Sequence, residues 1–158
     1  MRGKSRALVA IALSAGAALF LSTAFAQAPT ITSKLLVRGK VGKLNARNGG
    51  VVVKRKVGSA DVVMNRFVFQ PGSSSGWHKH PGVALVTVKS GALQIVNRFC
   101  RKKVYRKGQV YVEQGHKHLG RNRGNKKAVV LVTFIVPSKV SADGLFAPQD
   151  PPQGCNAR

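Results

Sequence analysis

Gly72-Ser73-Ser74-Ser75-Gly76-Trp77-His78-Lys79-His80 and Gly115-His116-Lys117-His118-Leu119-Gly120-Arg121-Asn122 contain all four histidines of the chain, as two His-x-His pairs. On an extended strand, residues i and i+2 project to the same side. Each pair therefore offers two imidazoles to one interior space, with Lys79 and Lys117 pointing the other way. Neutral imidazole is a ligand for zinc, copper, iron and nickel. Four histidines confined to two such pairs point to a metal site more strongly than four scattered ones. The alternative is one pair on the surface and one merely packed.

Outward from the histidines, the chain is a series of short β-rich runs. They are Val51–Lys56, Val62–Gln70, Trp77–His80, Val83–Lys89, Ala92–Asn97, Gln109–Glu113, His116–Asn122 and Ala128–Val136. Gly and Pro turn signals such as Pro71-Gly72, Pro81-Gly82, Ser90-Gly91 and Lys107-Gly108 separate them. Many short strands with regular breaks indicate an all-β sandwich or barrel. No segment beyond residue 27 shows a helical period of apolar residues. The VVLVTFIV run at 129–136 is continuously apolar, as for a strand covered on both faces. Residues 27–60 read as a lead-in with the first strands, 61–137 as the barrel core and 138–158 as a Pro-rich wrapping tail. Trp77 and Tyr111 read as core or rim packing.

The spacing around the histidines resembles the cupin superfamily. Its first motif is a glycine, five residues, His-x-His, three or four residues, a glutamate, six residues and a glycine. Gly72, His78, His80 and Gly91 fit, and Ala84 stands where the motif has glutamate. The second motif fits from Gly115 through His118 to Asn122. The stretch from Gly108 to Gly115 is one residue short, with Glu113 in place of proline. The resemblance covers roughly residues 60–137. It implies a jelly-roll, a double-stranded β-helix barrel of antiparallel strands.

The resemblance also implies one divalent transition metal (iron, manganese, zinc, nickel or copper) held by His78, His80 and His118. Ala84 cannot supply the usual fourth ligand. Three outcomes follow: a three-histidine site with open positions, as in some iron-dependent thiol dioxygenases of this superfamily; His116 as a fourth nitrogen; or no metal. Glu113 lies at an odd offset from His116 and His118, so on a regular strand it points away from them. Three neutral imidazoles leave the full charge on the metal, which favours an anionic ligand. The surrounding positive charge pushes the same way.

Residues 1–6 carry Arg2, Lys4 and Arg6, followed by an apolar run from Ala7 to about Leu21 and then Ala24-Phe25-Ala26. That is the pattern of a signal peptide over residues 1–26, cleaved after Ala26, and it predicts a secreted or periplasmic protein. An uncleaved anchor is the alternative, but the run is short for a span. With the leader removed, no transmembrane span is expected. In an oxidising compartment Cys100 and Cys155 are expected to pair. The bond would close about 56 residues and contribute at most roughly 4 kcal/mol. Two unpaired thiols in a mobile tail are the alternative.

The chain has 27 Lys+Arg against 4 Asp+Glu, a formal charge of +23. So few carboxylates exclude a calcium or two-magnesium site and disfavour a two-carboxylate glycosidase. There is no Walker loop and no GxSxG. The excess charge predicts non-specific attraction to anionic polymers or surfaces. Aromatic residues make up only 6% of the chain, and no nucleic-acid-reading motif is present. Specific nucleic-acid binding is therefore not expected.

The sequence thus predicts an exported metal-binding cupin acting on a small molecule, with oxygenase-type chemistry as the leading enzymatic reading. The alternatives are a non-catalytic small-molecule-binding or polyanion-binding module and a structural polycation. The residues leave open whether the protein is an enzyme. A homodimer is implied by analogy with other cupins.

Overall fold

The computed structural model describes residues 29–55 and 58–155. The expected signal peptide, residues 1–26, and Lys56 at the end of the first expected strand lie outside the described residues.

The strands are β1 (Ile31–Lys40), β2 (Asn45–Asn48), β3 (Val51–Lys54), β4 (Ala60–Phe69), β5 (His78–Lys79), β6 (Val83–Ser90), β7 (Ala92–Asn97), β8 (Lys102–Arg106), β9 (Val110–Glu113), β10 (His118–Arg121), β11 (Ala128–Pro137) and β12 (Ala147–Pro148). A single 3-10 turn spans Asp143–Leu145. Two five-stranded antiparallel sheets run in the orders β1-β4-β11-β6-β9 and β12-β5-β10-β7-β8, and β2-β3 is a separate hairpin. The expected all-β jelly-roll is the architecture found.

The inner faces alternate as period two demands. On β4, Val63, Phe67 and Phe69 turn inward, and on β11 Val130, Val132, Phe134 and Val136 do. The outward residues of β11 (Leu131, Thr133 and Ile135) are half-buried rather than covered. The continuous apolar run therefore reflects a central strand, flanked by β4 and β6, and not a strand enclosed on both faces.

Gly91 makes the tight β6–β7 turn at φ +73°, and a Cβ there would meet the Lys127 carbonyl oxygen at 2.7 Å. Asn122 ties the end of β10 to its surroundings. Its Nδ2 donates to the carbonyls of Phe69 (3.0 Å) and Lys126 (2.8 Å), and its Oδ1 accepts from the Gly124 N–H (2.9 Å). Two of the motif positions are thus explained by backbone demands alone.

β1 and β8 interrupt the sequence expectations. β1 runs through what reads as lead-in, and β8 (KKVYR) is too charged to stand out. Both are edge strands. Charged and mixed residues suit an edge because they discourage further pairing.

The tail also takes part in the barrel. β12 pairs with β5, placing Ala147 opposite Lys79 and Pro148 opposite His78. Leu145 is fully buried in the main core. A disulfide joins Cys100 to Cys155 with Cα atoms 5.5 Å apart. Around it Trp77, Val96 and Leu119 form a second, smaller core. Among the described residues, no helix is long and apolar enough to cross a membrane.

Candidate metal centre

His78 opens β5 and His118 opens β10, directly opposite each other in the antiparallel register. Opposed residues share a face, so both rings enter the barrel. His80 follows on the same side of the chain as His78. All three are buried, and their ring centroids lie 4.4, 4.8 and 5.2 Å apart. Their candidate ligand nitrogens fall within 4.8 Å of one another.

The hydrogen bonds determine which nitrogen is free. His78 Nδ1 meets the Gly76 carbonyl at 3.0 Å, His80 Nδ1 meets the Leu145 carbonyl at 2.6 Å, and His118 Nδ1 meets the His116 carbonyl at 3.0 Å. A carbonyl oxygen only accepts, so each Nδ1 carries the proton and donates it. In a neutral ring this leaves the lone pair on Nε2. Backbone partners of this kind orient and fix the tautomer of metal-binding histidines.

The rings are held neutral. Burial, reinforced by the neighbouring His118 and His80, pushes the His78 imidazole down to about 3 against the contrary pull of the Gly76 carbonyl. Burial likewise lowers His80 and His118, although their backbone bonds and Glu113 oppose it. Three neutral imidazoles with lone pairs on their free nitrogens are a donor set that fits one transition-metal ion. Each Nδ1–H donates to a backbone carbonyl, and in the neutral ring no proton occupies Nε2.

His116 stands apart from these three. It is exposed, and its Nδ1 lies 3.5 Å from an Arg98 guanidinium nitrogen. Gly115, at φ +82°, breaks the strand before it, and β10 begins only at His118. The two histidines are therefore not i and i+2 on one strand, and the second His-x-His pair does not present two rings to the interior.

The same break corrects the expectation for Glu113. Its side chain turns inward and is fully buried. It accepts the N–H groups of Gly115 and His116, both at 2.7 Å, and its Oε1 lies 3.7 Å from His118 Nδ1. Glu113 faces Ala84 across the β6–β9 ladder. The alanine in place of the motif glutamate is completely buried, and the neighbouring strand supplies a carboxylate beside it. Glu113 does not join the three-histidine cluster as a ligand. It acts on the site through His118 and through the turn it caps.

The tail contributes two residues that carry no signal in sequence. Leu145 supplies the carbonyl that holds His80. The Phe146 ring lies 5.0 Å from the rings of both His78 and His80. Trp77 is packed away in the second core, while Tyr111 is half-buried 5.7 Å from His118. In front of the histidines a cavity of about 290 Å³ opens into the barrel. Among the described residues, Ser33 and Ser75 are its only polar lining residues apart from the three histidines. Ser75 is engaged, its Oγ accepting the Gly120 N–H at 2.9 Å.

Comparison with known proteins agrees with this architecture. The family profile described as the cupin domain matches residues 65–134. No curated protein matches. An uncharacterized conserved protein with a double-stranded β-helix domain from Klebsiella pneumoniae is 15% identical, with a TM-score of 0.51 over 76% of this chain and 84% of its own. The DMSP lyase DddQ from Ruegeria pomeroyi is 13% identical, with a TM-score of 0.54 over 77% of this chain and 52% of its own. This chain therefore matches about half of that lyase's length. At such identities the likeness is one of fold.

Proposed function

Residues 65–134 form a cupin domain, and from that premise we propose that the protein binds one divalent transition metal through His78, His80 and His118 and acts on a small molecule held in the adjoining cavity. The observation that carries this reading is the set of three buried rings, each donating from Nδ1 to a backbone carbonyl. A metal there would supply Lewis-acid or redox chemistry. The chain's own residues do the rest. The carbonyls of Gly76, Leu145 and His116 fix the rings, burial disfavours their protonation, and a largely apolar wall surrounds the space in front of them. Among the described residues, the cavity lining holds no lysine or carboxylate, so the three histidines are its titratable groups. An oxygenase-type reaction at the metal is the enzymatic reading we propose.

Export is part of the same proposal. The basic, apolar, small-residue order of the first 26 residues supports it, and so does a disulfide of the kind that persists in oxidising compartments. The basic side chains Lys102, Lys103, Arg106 and Lys107 are exposed, which supports loose attachment to anionic surfaces as an additional property.

The test is oxygen consumption by iron-, manganese- and zinc-loaded protein across thiols, phenols and small acids, with His118→Ala as control. Metal-dependent uptake abolished in the variant supports the enzymatic reading. Ligand binding without turnover for any metal would leave the non-catalytic binding module as the function.

A further inference from the structure

The cavity wall carries information about what it receives. Phe67, Phe69, Leu93, Val130, Val132 and Phe134 make up much of it, drawn from both sheets. Among the described residues, no Lys or Arg lines it. The positive charge lies off the cavity lining, and salt screens its exposed part over roughly 10 Å. An anionic body lying against this wall would lose its hydration without gaining a cationic or hydrogen-bonding partner, and such burial is strongly unfavourable. The charged group just behind the histidines, Glu113, is itself an acid and would repel it. The wall chemistry therefore weighs against an anionic body, whatever the metal's charge and the net charge of the chain favour at the donor end.

We propose that the substrate is a small molecule with an apolar body and a single oxygen or sulfur donor at its histidine end. Only the donor end rests on the metal reading. An engineered apolar cavity of roughly 150 Å³ accommodates benzene. At about 290 Å³, this one has room for an aromatic ring and a short alkyl substituent. Ser33, exposed on β1, marks where the cavity reaches solvent. A molecule entering there passes Ile31 and lies along the phenylalanines, with its head toward His78, His80 and His118.

The experiment is calorimetric binding of phenol and its 4-methyl, 4-ethyl, 4-propyl and 4-butyl derivatives to zinc-loaded and to chelator-stripped protein, with oxalate as the anionic comparison. Burying each methylene contributes about 0.8 kcal/mol, so affinity should rise about fourfold per carbon until the cavity is full. In Val132→Phe the rise should stop at a shorter chain, and the wild-type series decides the question alone should that variant not fold. A slope present in both forms supports the apolar cavity. The slope without any zinc uptake supports it too, while overturning the metal reading. Flat affinity along the series, oxalate binding tighter than 4-propylphenol, or a cut-off unmoved in a folded Val132→Phe overturns the inference.

Discussion

Replacing Cys100 and Cys155 together by serine should weaken both the fold and the metal site, because the bond restrains the segment that completes that site. The bridge spans a sequence separation of 55. Loop-closure entropy for such a span is worth about 4 kcal/mol, all of it from the unfolded chain. With a urea slope of about 2 kcal/mol per molar, the unfolding midpoint should fall by up to roughly 2 M. A second effect is local. The tail between β11 and Cys155 docks through buried Leu145, the β5–β12 pairing and the bond from the Gln149 N–H to the Trp77 carbonyl. Burial of Leu145 contributes about 1.5–3 kcal/mol, and each neutral hydrogen bond about 1 kcal/mol. Without its covalent anchor the tail can open for a few kcal/mol while the barrel stays folded. Opening removes the Leu145 carbonyl from His80 Nδ1 and the Phe146 ring from His78 and His80. Lost partners of this kind typically cost 10–100-fold in metal affinity, so zinc affinity, measured by chelator competition, should fall within that range as an upper bound. An unchanged midpoint would refute the entropic argument. A lowered midpoint with unchanged zinc affinity would refute the coupling between tail and site.

Glu113→Ala removes the acceptor of two part-buried N–H groups and should cost about 1–3 kcal/mol in all. Glu113→Gln, which keeps one acceptor, should cost less, and equal urea midpoints for the two variants would contradict the geometry. Ser138 and Arg38 hydrogen bonds hold the Asp61 carboxyl below its ordinary value. A depressed folded-state value means that the stabilisation is present above about pH 4 and is lost as pH falls through the lowered value. Asp61→Asn should therefore lower Tm near neutrality, with the gap from wild type closing in acid; a gap that does not change with pH would tell against this. Gly91→Ala should destabilise by more than about 1 kcal/mol, since it combines a positive φ with a Cβ 2.7 Å from the Lys127 carbonyl oxygen and 2.9 Å from the Ala128 Cα. Near-wild-type melting would mean that the turn relaxes.

The barrel and the first histidine pair were legible because both depend on local pattern. His78 and His80 share a side through simple alternation, and the Gly72, Gly91 and Asn122 positions answer to backbone geometry. Glu113 and His116 depart from simple alternation for separate reasons: the left-handed Gly115 between Glu113 and His118 resets which side of the chain faces inward, and His116 precedes β10, which begins only at His118. Leu145 and Phe146 could not be read at all. Their contacts with His80 cross 65 and 66 positions of sequence, and they sit in a Pro-rich stretch with no period. The anionic-ligand expectation rests on the metal's charge and on the net charge of the chain, and neither describes the cavity wall, which is set by the inward residues of β4, β7 and β11.

Metal content bears most directly on the three-histidine centre. Protein purified without an affinity tag and reconstituted with zinc should hold close to one ion per chain, with three nitrogen neighbours at about 2.0–2.1 Å by X-ray absorption. His78→Ala/His80→Ala should hold none. Sub-stoichiometric metal that is the same in the wild type and the double variant would contradict the account.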